Sequence, residues 1–137
     1  MGRTYLFECP KCGYRARVAG GASEGAHFAV QTILCHDCKE LHDVVTALKV
    51  AEPTPAALPR EPQWLRSATR AALAPPSFSA AFNRLPPRSA RPLHWLRFPP
   101  GCPVSPQHRI REWKTPDLCP RCGTFLEPSG LPYRVWD

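Results

Sequence analysis

The chain lacks any run approaching the roughly 18 apolar residues of a membrane-spanning helix. Large apolar side chains are scarce as well. Hydrophobic residues make up 43% of the 137 positions, but many are alanine, and the large rings are limited to 6 Phe, 4 Trp and 3 Tyr. That supply is too small for a doubly wound α/β enzyme. Catalytic signatures are also missing: there is no nucleophile elbow and no paired-carboxylate motif, and Gly20-Gly21 followed by Gly25 lacks the Gly-Lys-Ser/Thr of a phosphate-binding loop, so it reads as a solvated turn. Met1-Gly2-Arg3-Thr4-Tyr5-Leu6 leads into a cysteine motif and not into a secretory apolar segment, so a cytoplasmic location is expected. In abundance instead are 18 prolines and 7 cysteines, which argue against one ordinary hydrophobic core and for small metal-stabilised modules.

Charge is unevenly spread. Residues 1–52 hold 6 Lys and Arg against 6 Asp and Glu, and residues 101–137 hold 5 against 4. Residues 53–100 carry 7 Arg, no Lys and the single acid Glu61, so most of the formal net charge of +7 lies in the middle. A four-thiolate zinc site adds about −2 and a three-thiolate, one-histidine site about −1, leaving a metal-loaded chain near +4.

The first 50 residues alternate apolar and polar positions. Tyr5, Phe7, then Tyr14, Ala16 and Val18 flank Cys9-Pro-Lys-Cys12-Gly, and the β-branched stretches Phe28 to Leu34 and Val44 to Val50 flank Cys35-His-Asp-Cys38. Both read as strand, CxxC turn, strand, with a loop at Gly20-Gly21-Ala22-Ser23-Glu24-Gly25. Residues 53–100 shift to Pro, Ala, Arg and Ser, a composition that cannot offset the entropy of ordering and is expected to form a linker. Two windows in it are candidate short helices: Trp64 to Ala74, and Ser77 to Leu85, where Phe78, Phe82 and Leu85 share one face. Alone they are too short to be stable, and they either pack on a ribbon or partner or flicker within a tether. From Gly101 the chain returns to β-forming aromatic residues, Trp113, Phe125, Tyr133 and Trp136 among them, and its closing Trp136-Asp137 suggests a packed terminal strand.

Three CxxC pairs, Cys9/Cys12, Cys35/Cys38 and Cys119/Cys122, account for six of the seven thiols. Each pair closes a turn that aims two sulfurs at one point, and two such turns complete a tetrahedron. With 22 residues between Cys12 and Cys35, the first expected site is Cys9, Cys12, Cys35 and Cys38. A redox dithiol or structural disulfides are the competing reading, but no βαβ pattern accompanies the motifs and disulfides are uncommon in the cytosol. His27, His36 and His42 lie nearby, outside a shell already filled by sulfur. The second expected site joins Cys119 and Cys122 to Cys102 and His108, with His94 as the alternative fourth ligand and Ser105 as a hydrogen-bonding turn residue; a metal-free C-terminal half is the plain alternative.

Cys9-Pro-Lys-Cys12-Gly-Tyr, Gly20-Gly21, Thr32, Cys35-His-Asp-Cys38-Lys and Asp43-Val44-Val45 resemble small bacterial zinc-ribbon proteins of unknown function. At the other end Trp113, Cys119-Pro-Arg-Cys122-Gly and Trp136-Asp137 are similar to the second ribbon of that group. The resemblance spans roughly the first 50 and last 37 residues. It implies a small β-rich fold of two zinc ribbons, residues 1–52 and 101–137, joined by the linker at residues 53–100. Cys9-Pro-Lys-Cys12-Gly-Tyr and Cys119-Pro-Arg-Cys122-Gly also look like the two halves of a rubredoxin, which makes iron the second choice of metal after two zinc ions.

Protein donors fill every coordination position in such ribbons, so the expected protein is a non-enzymatic adaptor that binds a protein partner or larger assembly, with no membrane and no small-molecule substrate. The alternative is nucleic-acid binding by the linker, with Arg60, Arg66, Arg70, Arg84, Arg88, Arg91 and Arg97 on phosphates and Trp64, Trp95 or Phe98 stacking on bases. A thiol enzyme or electron carrier is the third class.

Overall fold

The computed structural model describes residues 1–51, 75–83 and 93–137. Four strands form in the first 35 residues: β1 (Gly2–Glu8), β2 (Arg15–Val18), β3 (Ala22–Glu24) and β4 (Phe28–Cys35). They are followed by β5 (Glu40–Ala51), helix α1 (Phe78–Asn83), β6 (Leu93–Arg97), β7 (Ile110–Glu112), β8 (Glu127–Pro128) and β9 (Arg134–Trp136). The expected strand, CxxC, strand units are present. β1 pairs antiparallel with β2 around the Cys9/Cys12 turn, and β4 pairs with β5 around the Cys35/Cys38 turn.

The two ends of the chain do not build separate sheets. β1 pairs with β8 at Phe7 and Glu8 and with β9 at Gly2 to Thr4, so the first strand lies between β2 and strands from the end of the chain. β4 likewise pairs with β7 through Ile33, Leu34 and Cys35. The result is a four-stranded sheet of β2, β1, β8 and β9 and a five-stranded sheet of β3, β4, β5, β6 and β7, each drawing strands from both halves. Division into a ribbon at 1–52 and another at 101–137 is therefore corrected. The physical reason is supply: neither terminal stretch has enough large side chains to cover its own strands, and each covers the other's.

Part of the expected linker belongs to the fold. β6 extends the larger sheet by pairing with β5 from Ala47 to Ala51, and α1 starts at a Ser77 hydroxyl that accepts the Ala80 N–H at 3.2 Å. Phe78 packs edge-on against Phe28 and Trp136, and Ala81 and Phe98 are buried in the same cluster. Of the two candidate windows, Ser77 to Leu85 holds a packed helix over Phe78–Asn83 and does not flicker in a tether, while Leu85 and the window from Trp64 to Ala74 lie outside the described residues.

Two apolar clusters hold the sheets. One gathers Phe7, Val18, Leu34, Leu41, Trp113 and Leu126 around Cys9 and Cys119; the other gathers Phe28, Val30, Val45, Leu48, Phe98 and Trp136. Trp113 is fully buried, meets Phe7 edge-to-face at 5.1 Å, and donates its indole N–H to the Leu118 carbonyl at 2.9 Å. Between the clusters lies a buried polar knot. The Thr32 hydroxyl accepts the N–H groups of Gly20 and Gly21 at 3.0 and 3.2 Å and donates to Asp43 at 2.7 Å, and Asp43 accepts the Ala19 N–H.

Gly20 shows why this loop is glycine. Its φ is +82°, and an added Cβ would stand 2.6 Å from the Phe7 ring. Gly20→Ala is expected to lower unfolding free energy by about 2 kcal/mol or more, from left-handed backbone strain plus displacement of a core ring. Urea unfolding of the metal-loaded protein checks this, and an unchanged midpoint would contradict it.

Candidate metal centres

Eight donor side chains converge in two groups of four, and within each group the ligand atoms all lie within 4.8 Å of one another. The grouping differs from the one expected. Cys9 and Cys12 face Cys119 and Cys122, while Cys35 and Cys38 face Cys102 and His108. All eight expected ligands are brought to a centre, and the expected sets Cys9/Cys12/Cys35/Cys38 and Cys102/His108/Cys119/Cys122 are corrected to these two. β1 emerges from its pairing with β8 and β9 beside the Cys119 turn, and β4 emerges from its pairing with β7 beside His108, so strand exchange between the chain ends dictates the exchange of ligands.

In the first centre Cys9 Sγ is 3.3 Å from Cys122 Sγ, and Cys12 Sγ is 3.6 Å from Cys119 Sγ. A tetrahedron with metal–sulfur bonds of 2.3 Å has sulfurs about 3.8 Å apart, so these thiols fit a four-coordinate ion after a small expansion. The two turns have the same construction. Gly13 N–H bonds the Cys9 carbonyl and Gly123 N–H the Cys119 carbonyl, both glycines having φ of +75°. Cys12 N–H points at Cys9 Sγ and Arg121 N–H at Cys119 Sγ, each at 3.5 Å, as suits sulfurs that carry negative charge.

In the second centre His108 Nδ1 lies 3.6, 3.3 and 3.4 Å from the sulfurs of Cys35, Cys38 and Cys102. Mixed metal–sulfur and metal–nitrogen bonds place such atoms about 3.6 Å apart, so a Cys3His tetrahedron fits. His94 sits exposed on β6, away from this group. The turn at Cys35 has no glycine, and Lys39 takes the left-handed conformation instead, with φ of 54°. The residue after His108 is tied to the Cys35 turn twice: Asp37 Oδ2 accepts the Arg109 N–H at 2.8 Å, and His36 N–H donates to the Arg109 carbonyl at 2.9 Å. The Ser105 carbonyl accepts the His108 N–H and its hydroxyl accepts the Gln107 N–H, so Ser105 shapes the turn.

The thiols of the two groups hold protons unequally. Desolvation and the adjoining Cys35 and Cys102 thiols push Cys38 up to about 12, whereas hydrogen bonds from the Thr124 hydroxyl and amide draw Cys122 down to about 6. Four sulfurs this close cannot all carry charge without a cation among them. Metal uptake therefore releases protons and strengthens as pH rises. No disulfide links any of the seven cysteines.

Sequence reasoning did not single out Asp37 as a support for the His108 turn, Tyr14 as the residue whose hydroxyl accepts Leu41 N–H at 2.9 Å, or the Arg111–Asp117 pair at 2.8 Å that precedes the Cys119 turn. Only the shared Cys-Pro-x-Cys-Gly form of the first and last turns signalled that those two belong together. Among the alternative nucleic-acid residues, Arg60, Arg66, Arg70, Arg84, Arg88, Arg91 and Trp64 lie outside the described residues. Arg97 is exposed on β6, Trp95 is half-buried beside Lys49, and Phe98 is buried, so the expectation that Phe98 stacks on bases is corrected.

Asp43 gives the fold a pH signature separate from the metal ligands. Burial raises its carboxyl from 3.8 to about 6 against the opposing hydrogen bonds from Thr32 and Ala19. The folded state then binds more protons than the unfolded chain between those values, so this group's contribution falls as pH rises from about 4 to 6. Asn at 43 does not titrate. The stability of Asp43→Asn relative to wild type at saturating zinc is expected to climb across that window, by on the order of 3 kcal/mol in all, and level off above it. Denaturant titrations at stepped pH read this directly, and a flat difference would contradict it.

No protein-family model, curated protein or solved structure matches the chain. The two Cys/His groups agree with the knuckle part of the zinc-ribbon resemblance, and no family assignment accompanies them. Among the described residues no helix is long and apolar enough to cross a membrane.

Proposed function

We propose that the protein is a non-enzymatic zinc scaffold of the cytoplasm, in which two structural zinc ions staple the ends of the chain together and hold a β surface for a protein partner or larger assembly. The observation that carries this reading is the closure of both donor sets: four protein ligands each, with no coordination position left for a substrate or reactive water. Seven unbridged cysteines suit a reducing compartment. Native mass spectrometry of the untagged protein is expected to show two zinc ions. A single zinc removes one centre, and a metal-free folded protein overturns the reading.

A second reading applies to the first centre alone. The structure pairs Cys9-Pro-Lys-Cys12-Gly with Cys119-Pro-Arg-Cys122-Gly, the two turns that look like the halves of a rubredoxin, and tetrahedral sulfur accepts iron as well as zinc. Iron in that centre would make it an electron carrier. Visible absorption of protein grown with iron and zinc both supplied separates the two, because zinc thiolate is colourless.

A further inference from the structure

We propose that the groove between β2, β5 and β9, beside the first metal centre, binds the backbone of a single-stranded nucleic acid, with Arg17 and Arg134 on its phosphates. The groove is about 650 Å³ and is lined by four arginines, Arg15, Arg17, Arg121 and Arg134. Three of them are laid on aromatic rings: Arg17 over Tyr133 at 4.6 Å, Arg121 over Tyr14 at 4.8 Å and Arg134 over Phe82 at 5.2 Å. Guanidinium planes interleaved with aromatic faces along a polar groove are what an unpaired strand requires, charge for its phosphates and flat surfaces for its bases.

The four arginines are not equivalent. Arg15 is held by Glu8 at 2.9 Å and Arg121 by Glu40 at 3.5 Å, and Arg121 also lies between Cys119 and Cys122, where it offsets thiolate charge. Arg17 and Arg134 have no carboxylate partner among the described residues. Their aromatic contacts fix the guanidinium planes without consuming the charge, so little rotamer freedom remains to be lost on binding. The acids on the groove offer little opposition, since Asp43 is largely buried with its oxygens turned to Ala19 and Thr32 and Glu40 is paired with Arg121. Tyr133, half exposed, leaves ring surface open beside Arg17.

This inference uses residues other than the linker arginines and does not depend on which metal fills the centres. The test is fluorescence anisotropy of the full-length, zinc-loaded protein with a labelled oligothymidylate of about 15 nucleotides, the upper range for a small single-strand fold. Binding is expected at low salt, with a log–log salt slope of about −1.4 for two phosphate contacts. The double variant Arg17→Glu, Arg134→Glu is expected to lose about tenfold or more in affinity and to keep its zinc content and unfolding midpoint. Arg60→Ala with Arg66→Ala serves as the linker control and is expected to change affinity less. Three results overturn the proposal: no binding at low salt, undiminished binding by the folded groove variant, or equal loss in the linker control. Should the groove variant lose zinc or unfold, Tyr133→Ala replaces it, and unchanged oligothymidylate affinity in that variant overturns the proposal.

Discussion

Stripping the metal from this protein is expected to unfold both sheets together. If each end of the chain were a self-contained ribbon, a chelator would melt two modules at two midpoints, and residues 1–52 made alone would fold with one zinc. The ligand sets exclude that outcome: Cys9 and Cys12 close on Cys119 and Cys122, and Cys35 and Cys38 close on Cys102 and His108. β1 has partners from both ends of the chain, and Trp113 of the C-terminal stretch packs on Phe7 of the first strand. Zinc in these sites, as proposed above, would contribute apparent binding free energies of about 10–16 kcal/mol, as large as or larger than the net stability of a small domain, so its loss would leave no folded remainder. Circular dichroism during chelation should therefore show one transition that reverses with added zinc. Cys35→Ala should likewise lower the stability of both sheets together, in one transition and not in one half of the protein. A retained half-signal, or a cooperatively folding fragment of residues 1–52, would restore the modular arrangement.

Local features of this architecture were readable in the sequence and long-range ones were not. The alternation around Cys9-Pro-Lys-Cys12 and Cys35-His-Asp-Cys38 marks two hairpins because strand period and turn chemistry are properties of neighbouring residues, and both hairpins form as expected. The identity of all eight donors was likewise legible, since thiols at CxxC spacing and a histidine near a lone cysteine have few other uses in a chain like this. Pairing of the knuckles was hidden because proximity along the chain favours Cys12 with Cys35, whereas the fold is decided by which strand edges cover one another. β8 and β9, of two and three residues, carry almost no periodicity, yet they select the partner of β1. The same holds for Ala81 and Phe98: in a stretch rich in Pro, Ala and Arg they resemble filler, and they are buried because Phe28 and Trp136 leave a space that only a distant segment fills. Thr32 and Asp43 stood out as isolated letters, and their joint role in holding the Gly20 loop emerges only when β4 and β5 place them opposite each other.

Interleaving also predicts that the two centres load as a pair. Cys12 and Cys119 are 107 positions apart and Cys38 and Cys102 are 64 apart, and the second span lies inside the first. Once the inner centre closes, the path from Cys12 to Cys119 shortens to about 34 residues, running from Cys12 to Cys35 and from His108 to Cys119. Loop-closure entropy scales with the logarithm of that length, so prior closure of the inner centre favours the outer one by about 1 kcal/mol, roughly fivefold in affinity. Shared packing adds to this lower bound, because β7 runs directly from the His108 turn to Trp113 in the core around Cys9 and Cys119. Zinc titration against a competing chelator should therefore show the outer centre of His108→Ala weakened by about fivefold or more, and Cys122→Ser should weaken the inner centre reciprocally, as linkage requires. Wild type should show a reduced one-zinc species in native mass spectra at half saturation, about a third of the molecules or less for fivefold coupling against about half for uncoupled sites. Independent sites would give the statistical mixture with a prominent one-zinc peak, and single-centre variants whose remaining site binds as in wild type would show that the chain exchange between the ends carries no energetic coupling.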